Sequence, residues 1–255
     1  MKFKTVQLTD IGNYRKSNQD YLDFTENKTG QALGIVCDGM GGHASGDIAS
    51  KMAVTNFVSI FKKTNFTKMT GSEDIHSWLR RTVNEVLEIM IKYANSHKET
   101  LDMGTTLTAV LFVDEERAFV VNVGDSRTYK LDEENEALNQ ITMDQNLENT
   151  TNEKEKEAAK NTILFQRMTE QTFWKVLTSA LGPKKQLKID IYDVKPQGTW
   201  ILTTDGVHDY VDEELVVATL LNEKMKQKRK GQLIIEDAKD NMSTDNLSIL
   251  LIEAE

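Results

Sequence analysis

The sequence predicts an α+β fold in which mostly antiparallel sheets are covered by helices. Three observations point there. The chain opens with three strand-like runs before any helical pattern, whereas a doubly wound parallel sheet alternates strand and helix from the start. Two long helical patterns then follow back to back, and strands return in a group. The 255 residues are 39% hydrophobic and 28% charged, an ordinary globular balance with enough chain for a substantial core.

The elements follow in order. Short runs rich in apolar, β-branched and aromatic residues over 3–8, 21–25 and 32–37 read as strands. A glycine-rich turn then leads into a helix over 44–61. The second helix is read from Ile75, Leu79, Val83, Val86, Leu87, Met90, Ile91 and Ala94, which recur every three or four residues. Strands resume over 105–113, 118–123 and 127–131. Residues 149–160 are polar nearly throughout and read as an exposed helical insertion; beside a site, such an insertion acts as a lid. Strands at 189–194, 200–203 and 247–252 complete the set. The basic run over 224–230 reads as a solvated helix end. Only Pro183 and Pro196 occur, no repeat is present, and no linker divides the chain, so residues 1–255 are expected to form one domain.

Charge and cysteine usage exclude several classes. The net charge of −9 argues against nucleic-acid binding and against docking on anionic membranes. No run approaches about 18 apolar residues, so no membrane span is expected. A signal peptide is not expected, and the single cysteine, Cys37, fits a reducing cytoplasm.

The informative pattern is where aspartates fall relative to strands. Gly34-Ile35-Val36-Cys37 runs into Asp38-Gly39, and Phe119-Val120-Val121-Asn122-Val123 into Gly124-Asp125. Trp200-Ile201-Leu202-Thr203-Thr204 runs into Asp205-Gly206. Asp20 opens the second strand, and Asp245 stands just before the last. One Asp-Gly alone reads as a turn. Five strand-end aspartates can converge at one sheet edge, where they repel unless a cation neutralises them. Oxygen-only ligands suit Mg²⁺ or Mn²⁺ rather than Zn²⁺, and no His or Cys cluster with zinc spacing occurs.

Competing motifs fail. Gly39-Met40-Gly41-Gly42-His43-Ala44 fits G-x-G-x-x-A, but no acidic residue lies between Asp47 and Glu73, where a ribose would need one. Gly41 and Gly46 have P-loop spacing, but Asp47 stands where lysine is required. Cys37 lacks the arginine of a cysteine phosphatase and reads as a core residue.

The chain resembles the metal-dependent protein serine/threonine phosphatases of the protein phosphatase 2C-like family, in their short bacterial form. The matching stretches are Asp10-Ile11-Gly12-Asn13-Tyr14-Arg15-Lys16-Ser17-Asn18-Gln19-Asp20, Val36-Cys37-Asp38-Gly39-Met40-Gly41-Gly42-His43 and Met103-Gly104-Thr105-Thr106. Val123-Gly124-Asp125-Ser126-Arg127, Thr204-Asp205-Gly206 and Thr244-Asp245-Asn246 follow in family order. The resemblance implies a four-layer α-β-β-α sandwich with a metal centre at one edge. By position, Asp38 would bridge two Mg²⁺ or Mn²⁺ ions, the Gly39 carbonyl would bind one, and Asp20, Asp205 and Asp245 would complete the other. Asp125 with Asp205 resembles a weaker third site. Arg15 would grip the substrate phosphate, and His43 resembles the general acid of the family. The implied reaction is attack of a metal-bridging hydroxide on phosphoserine or phosphothreonine in proteins.

The implied partners are phosphoproteins and a cognate serine/threonine kinase, for a cytoplasmic monomer. A phosphoprotein-binding pseudophosphatase is the first alternative, although it would be expected to have lost a ligand aspartate and none is missing. A metal phosphatase for small phosphate esters is the second. The sequence departs from the family pattern at Asp144-Gln145-Asn146, where Asp-His is common, and at Thr244. It departs again across the polar flap at about 146–171. His208 reads as structural or rim-facing, and His76 and His97 need no function.

Overall fold

The structure is a computed structural model that describes residues 1–41 and 45–255. Two antiparallel sheets lie face to face with helices on both outer sides. The chain enters with β1 (Phe3–Asp10), β2 (Asp20–Glu26) and β3 (Ala32–Met40), then α1 (Gly46–Lys63) and α2 (Ser72–Ser96). Strands β4 (Gly104–Thr105), β5 (Leu107–Phe112), β6 (Ala118–Val123), β7 (Arg127–Asp132) and β8 (Ala137–Gln140) follow. Four short helices make up the insertion: α3 (Leu147–Thr150), α4 (Glu153–Ala159), α5 (Ile163–Arg167) and α6 (Glu170–Trp174). The chain ends with β9 (Asp190–Val194), β10 (Gly198–Thr203), α7 (Asp205–His208), α8 (Glu213–Leu221), α9 (Gln227–Asp240) and β11 (Leu247–Ala254). One sheet has the order β1-β11-β10-β7-β8; the other runs β2-β3-β5-β6-β9, with β4 also paired to β3.

Three apolar layers follow from the period-two alternation of side chains. Along β3, Leu33, Ile35 and Cys37 face α1 and α2, where they meet Phe57, Phe61, Leu79 and Val83. Ala32 and Val36 point the other way, into a layer shared with Trp200, Leu202, Leu250 and Ile252 of the opposite sheet. Gly34 leaves room there for the opposite sheet: a Cβ would stand 2.6 Å from Ile252 Cδ1 and would push that side chain aside. The third layer joins Ile201, Ile249 and Leu251 to Val216, Val217, Ile234 and Ile235 of α8 and α9. Trp200 is fully buried between the sheets and still satisfies its indole N–H, which donates to Pro196 O at 2.8 Å. The four-layer α+β sandwich is therefore as expected.

Local differences from the sequence reading have physical causes. The strand expected over 105–113 is broken at Thr106, whose hydroxyl accepts from Asp38 N–H at 2.9 Å instead of projecting from a regular ladder. The first described helical residue of α1 is Gly46; residues 42–44 lie outside the described set. The basic run is not wholly solvated: Lys230 is buried, and its Nζ donates to Leu220 O at 2.6 Å, holding a carbonyl at the end of α8. The insertion does form helices, and the α4 start is capped by Asn152, whose side chain accepts from Lys154 N and Glu155 N. Among the described residues no helix is long and apolar enough to cross a membrane.

Candidate active site

The strand-end aspartates converge at one edge of the sandwich, from both sheets. Asp20 and Asp38 stand directly opposite each other in the β2–β3 ladder, an arrangement that like charges disfavour. Asp205 opens α7 straight after β10, and Asp245 precedes β11, the strand paired with β10. Asp125 lies in the turn between β6 and β7, where the chain crosses from one sheet to the other.

Backbone contacts set these positions. Gly39 N–H donates to Gln19 O at 3.0 Å, and a Cβ on Gly39 would lie 2.0 Å from Gly46 O, so only glycine lets the start of α1 close on β3. Thr105 and Thr106 fasten Asp38: the Thr105 hydroxyl donates to Asp38 O at 2.8 Å, and Thr106 N–H donates to the same oxygen at 2.9 Å. Gly124 adopts φ 94°, which turns Asp125 toward the edge. Gln145 clamps that turn, accepting from Gly124 N–H at 2.9 Å and donating to Asp190 Oδ2 at 2.8 Å. Asp144 binds Arg127 through two guanidinium nitrogens, Nε at 2.9 Å and Nη2 at 2.7 Å. The departure at Asp144-Gln145-Asn146 thus forms a buried scaffold under Asp125.

The carboxylates press on one another electrostatically. Burial pushes the Asp20 carboxyl up to about 7, with Asp205 and Asp245 adding to the shift. Asp125 is pushed up to about 8 by burial and by Asp205, Asp144 and Asp209; Asp205 rises to about 6 through burial, Asp245 and Asp209. Asp38 is raised well above the usual carboxylate range by burial and by its four acidic neighbours. Among the described residues, no three ligating side chains stand close enough to hold an ion as they are. Asp20 Oδ2 accepts from the Thr204 hydroxyl at 2.9 Å, and Asp245 Oδ2 accepts from Arg15 Nη2 at 2.5 Å. The donor set nevertheless fits hard divalent cations: it is all oxygen, it repels itself, and Asp205 Oδ1 is buried with no hydrogen-bond partner.

Arg15 reaches the same edge. Its Nε donates to Thr244 O at 3.3 Å, and half of its side chain remains exposed. His43 lies outside the described residues. His208 is the last residue of α7; its Nδ1 lies 2.9 Å from Thr203 Oγ1, and burial, then Arg127 and Lys175, push the imidazole well below 6.5. It is buried and lines a cavity of about 520 Å³ with Asp125, Asp205, Arg127, Asp144 and Lys175. His76 does have a partner, Asp193 Oδ1 at 2.5 Å.

Three participants went unassigned in the sequence reading. Thr204 and Asn246 lie inside the quoted motifs; Thr204 holds Asp20, and Asn246 Oδ1 accepts from Gln19 N–H at 2.9 Å while its Nδ2 donates to Ile11 O and Ser17 O. Lys175, just after α6, pairs with Asp209 at 2.6 Å and ties the insertion to the end of α7. No motif marks that pair, because its members are separated by 34 positions.

Serine/threonine phosphatase Stp1 from Staphylococcus aureus superposes with a TM-score of 0.82 at 27% identity, covering 100% of this chain and 96% of that one. Serine/threonine phosphatase stp of Listeria monocytogenes is 36% identical over 254 residues, covering 96% of this chain and 93% of the relative. A putative protein phosphatase 2C-type protein of Streptococcus pyogenes is 31% identical over 249 residues, covering 97% and 96%. The family description Protein phosphatase 2C matches residues 14–234. The chain belongs to the protein phosphatase 2C family.

Proposed function

We propose that this protein is a metal-dependent phosphatase that hydrolyses phosphoserine and phosphothreonine in proteins. The observation that carries the reading is the convergence of Asp20, Asp38, Asp205 and Asp245 from two sheets on one edge, with Arg15 beside them. Asp20, Asp38, Asp205, Asp245 and the Gly39 carbonyl would hold two Mg²⁺ or Mn²⁺ ions, and Asp125 with Asp205 a third, weaker one. Such ions supply activation of water and neutralisation of phosphate charge.

The chain's own residues supply the rest. Arg15 presents a planar fork matched to phosphate oxygens and exchanges its hold on Asp245 for the substrate. His43 is assigned as proton donor to the departing alkoxide on the strength of the sequence motif. No protein nucleophile is required. Cys37 is buried, and burial together with Asp38 and Asp20 pushes its thiol well above its ordinary value, against the Thr105 hydrogen bond. The physiological setting proposed is a cytoplasmic monomer acting on phosphoproteins, opposite a serine/threonine kinase.

The test compares phosphopeptides with small phosphate esters, in Mn²⁺ and in chelator. Phosphopeptide turnover in Mn²⁺ that chelator abolishes supports the reading. Turnover confined to small esters assigns the second alternative, and phosphopeptide binding without turnover the first.

A further inference from the structure

The end of α9 carries an unusual residue. Met242 adopts φ 66°, its N–H donates to Lys239 O at 3.1 Å, and Ser243 N–H donates to Ala238 O at 3.0 Å. This is a Schellman-type helix end, in which the left-handed position ordinarily belongs to glycine because a Cβ is disfavoured there. Burial does not compensate, since the residue is 60% exposed. Its sulfur instead meets the hydroxyl of Tyr14 at 3.9 Å.

Tyr14 is itself 54% exposed and immediately precedes Arg15. Ile11, in the same turn, is 41% exposed. The turn is firmly held. Gly12 adopts φ 78°, its N–H donates to Asp10 Oδ1 at 2.8 Å, and a Cβ there would stand 2.2 Å from Asp245 O. Asn246 Nδ2 binds Ile11 O at 2.9 Å. Arg15 in turn binds Thr244 O, two residues beyond Met242. Large apolar side chains are therefore fixed in water beside the arginine of the candidate site.

We propose that Tyr14 and Met242, with Ile11, form an apolar platform for a large apolar side chain flanking the phosphorylated residue of the substrate. This rests on the phosphatase reading above. The preferred substrates are then phosphopeptides carrying Leu, Ile, Met, Phe or Trp near the phosphoserine or phosphothreonine. A rigid aromatic ring beside an adaptable thioether suits such varied side chains. Three side chains fall far short of the roughly 800 Å² per partner that a stable protein interface buries, so one substrate residue is the fitting occupant.

The experiment uses phosphothreonine peptides that differ only in Gly against Leu or Phe at each flanking position, with Mn²⁺. Wild type, Tyr14→Ala and Met242→Gly are compared, with p-nitrophenyl phosphate as a substrate that has no flanking residue. Wild type should favour the apolar peptide by about five- to tenfold in kcat/KM at one or more positions, the scale of partly burying one side chain. Each variant should shrink that preference to about twofold or less while keeping its rate on p-nitrophenyl phosphate. Met242→Gly should also raise Tm, since it relieves the left-handed strain. A wild type without preference, or a preference that survives both substitutions, overturns the platform while leaving the phosphatase reading intact. Failure to turn over p-nitrophenyl phosphate and every peptide overturns both.

Discussion

Asp38 stands across the ladder from Asp20 and feels Asp205, Asp245 and Asp125 as well. Asp38→Asn should therefore abolish Mn²⁺-dependent turnover, because it removes the charge around which the set is arranged. The same change should leave the chelated protein as stable as wild type, or slightly more so, since it relieves repulsion. Kinetics beside a thermal melt in chelator check both, and near-normal Mn²⁺-dependent rates would sink the assignment. Arg15 gives a different signature. Its guanidinium is half exposed and bound to Asp245, so it is available to a phosphate. Arg15→Ala should raise KM for phosphopeptides more than it lowers kcat, if the grip is similar in ground and transition states. Arg15→Lys should rescue only in part, because an ammonium lacks the two-pronged geometry. Unchanged steady-state constants would make Arg15 a bystander.

Between the residue and the molecule lies the insertion of α3 to α6. Phe165, Phe173 and Trp174 stack edge to face within it, and Lys175 ties it to Asp209. The pair is partly exposed, so Lys175→Ala should shift Tm little, consistent with about 0–1 kcal/mol for surface ion pairs. Proteolysis within 147–174 should nonetheless accelerate severalfold, because local opening is governed by few contacts. Cleavage at the wild-type rate would show that the strap holds nothing. The other elements were legible to the extent that burial wrote itself into the pattern. β3, β5 and β6 read as continuous apolar runs because both of their faces are covered. β8, Ala-Leu-Asn-Gln, was missed: it is a four-residue edge strand with no buried residue and no alternation to read. Lys230 was misread for the opposite reason, since a charged run gives no sign that one member reaches a helix-end carbonyl. The acidic edge was readable because its aspartates sit where strands start or stop, a property of order along the chain. The Lys175–Asp209 pair and the left-handed Met242 depend on distant packing and left no local trace.

At the scale of the whole molecule, the raised carboxyls make stability depend on pH in an unusual direction. Unfolded aspartates release their protons near 3.8, whereas Asp205, Asp20 and Asp125 hold theirs to about 6, 7 and 8 in the fold. Over that window the folded chain binds more protons than the unfolded one, so stability falls as pH rises. His208 works the other way below 6.5, where unfolding lets it gain a proton, but it is one group against four. In chelator, Tm should therefore drop between pH 5.5 and 8.5, and excess Mn²⁺ should flatten or reverse that trend; a chelated Tm that rises with pH contradicts it. The two-sheet origin of the acidic edge carries a last consequence. Asp20 and Asp38 belong to one sheet, Asp205 and Asp245 to the ends of strands in the other, and the layer between the sheets is largely apolar, crossed by the Thr108–Thr128 hydroxyl pair at 2.7 Å. A cation held from both sides would latch the sandwich shut at its rim, so that the two sheets could part only after it left. Amide hydrogen exchange in Ala32, Trp200 and Ile252, toward the strand ends away from the aspartates, should slow together as Mn²⁺ is added. Protection confined to residues beside the aspartates would mean that the sheets breathe independently of the metal.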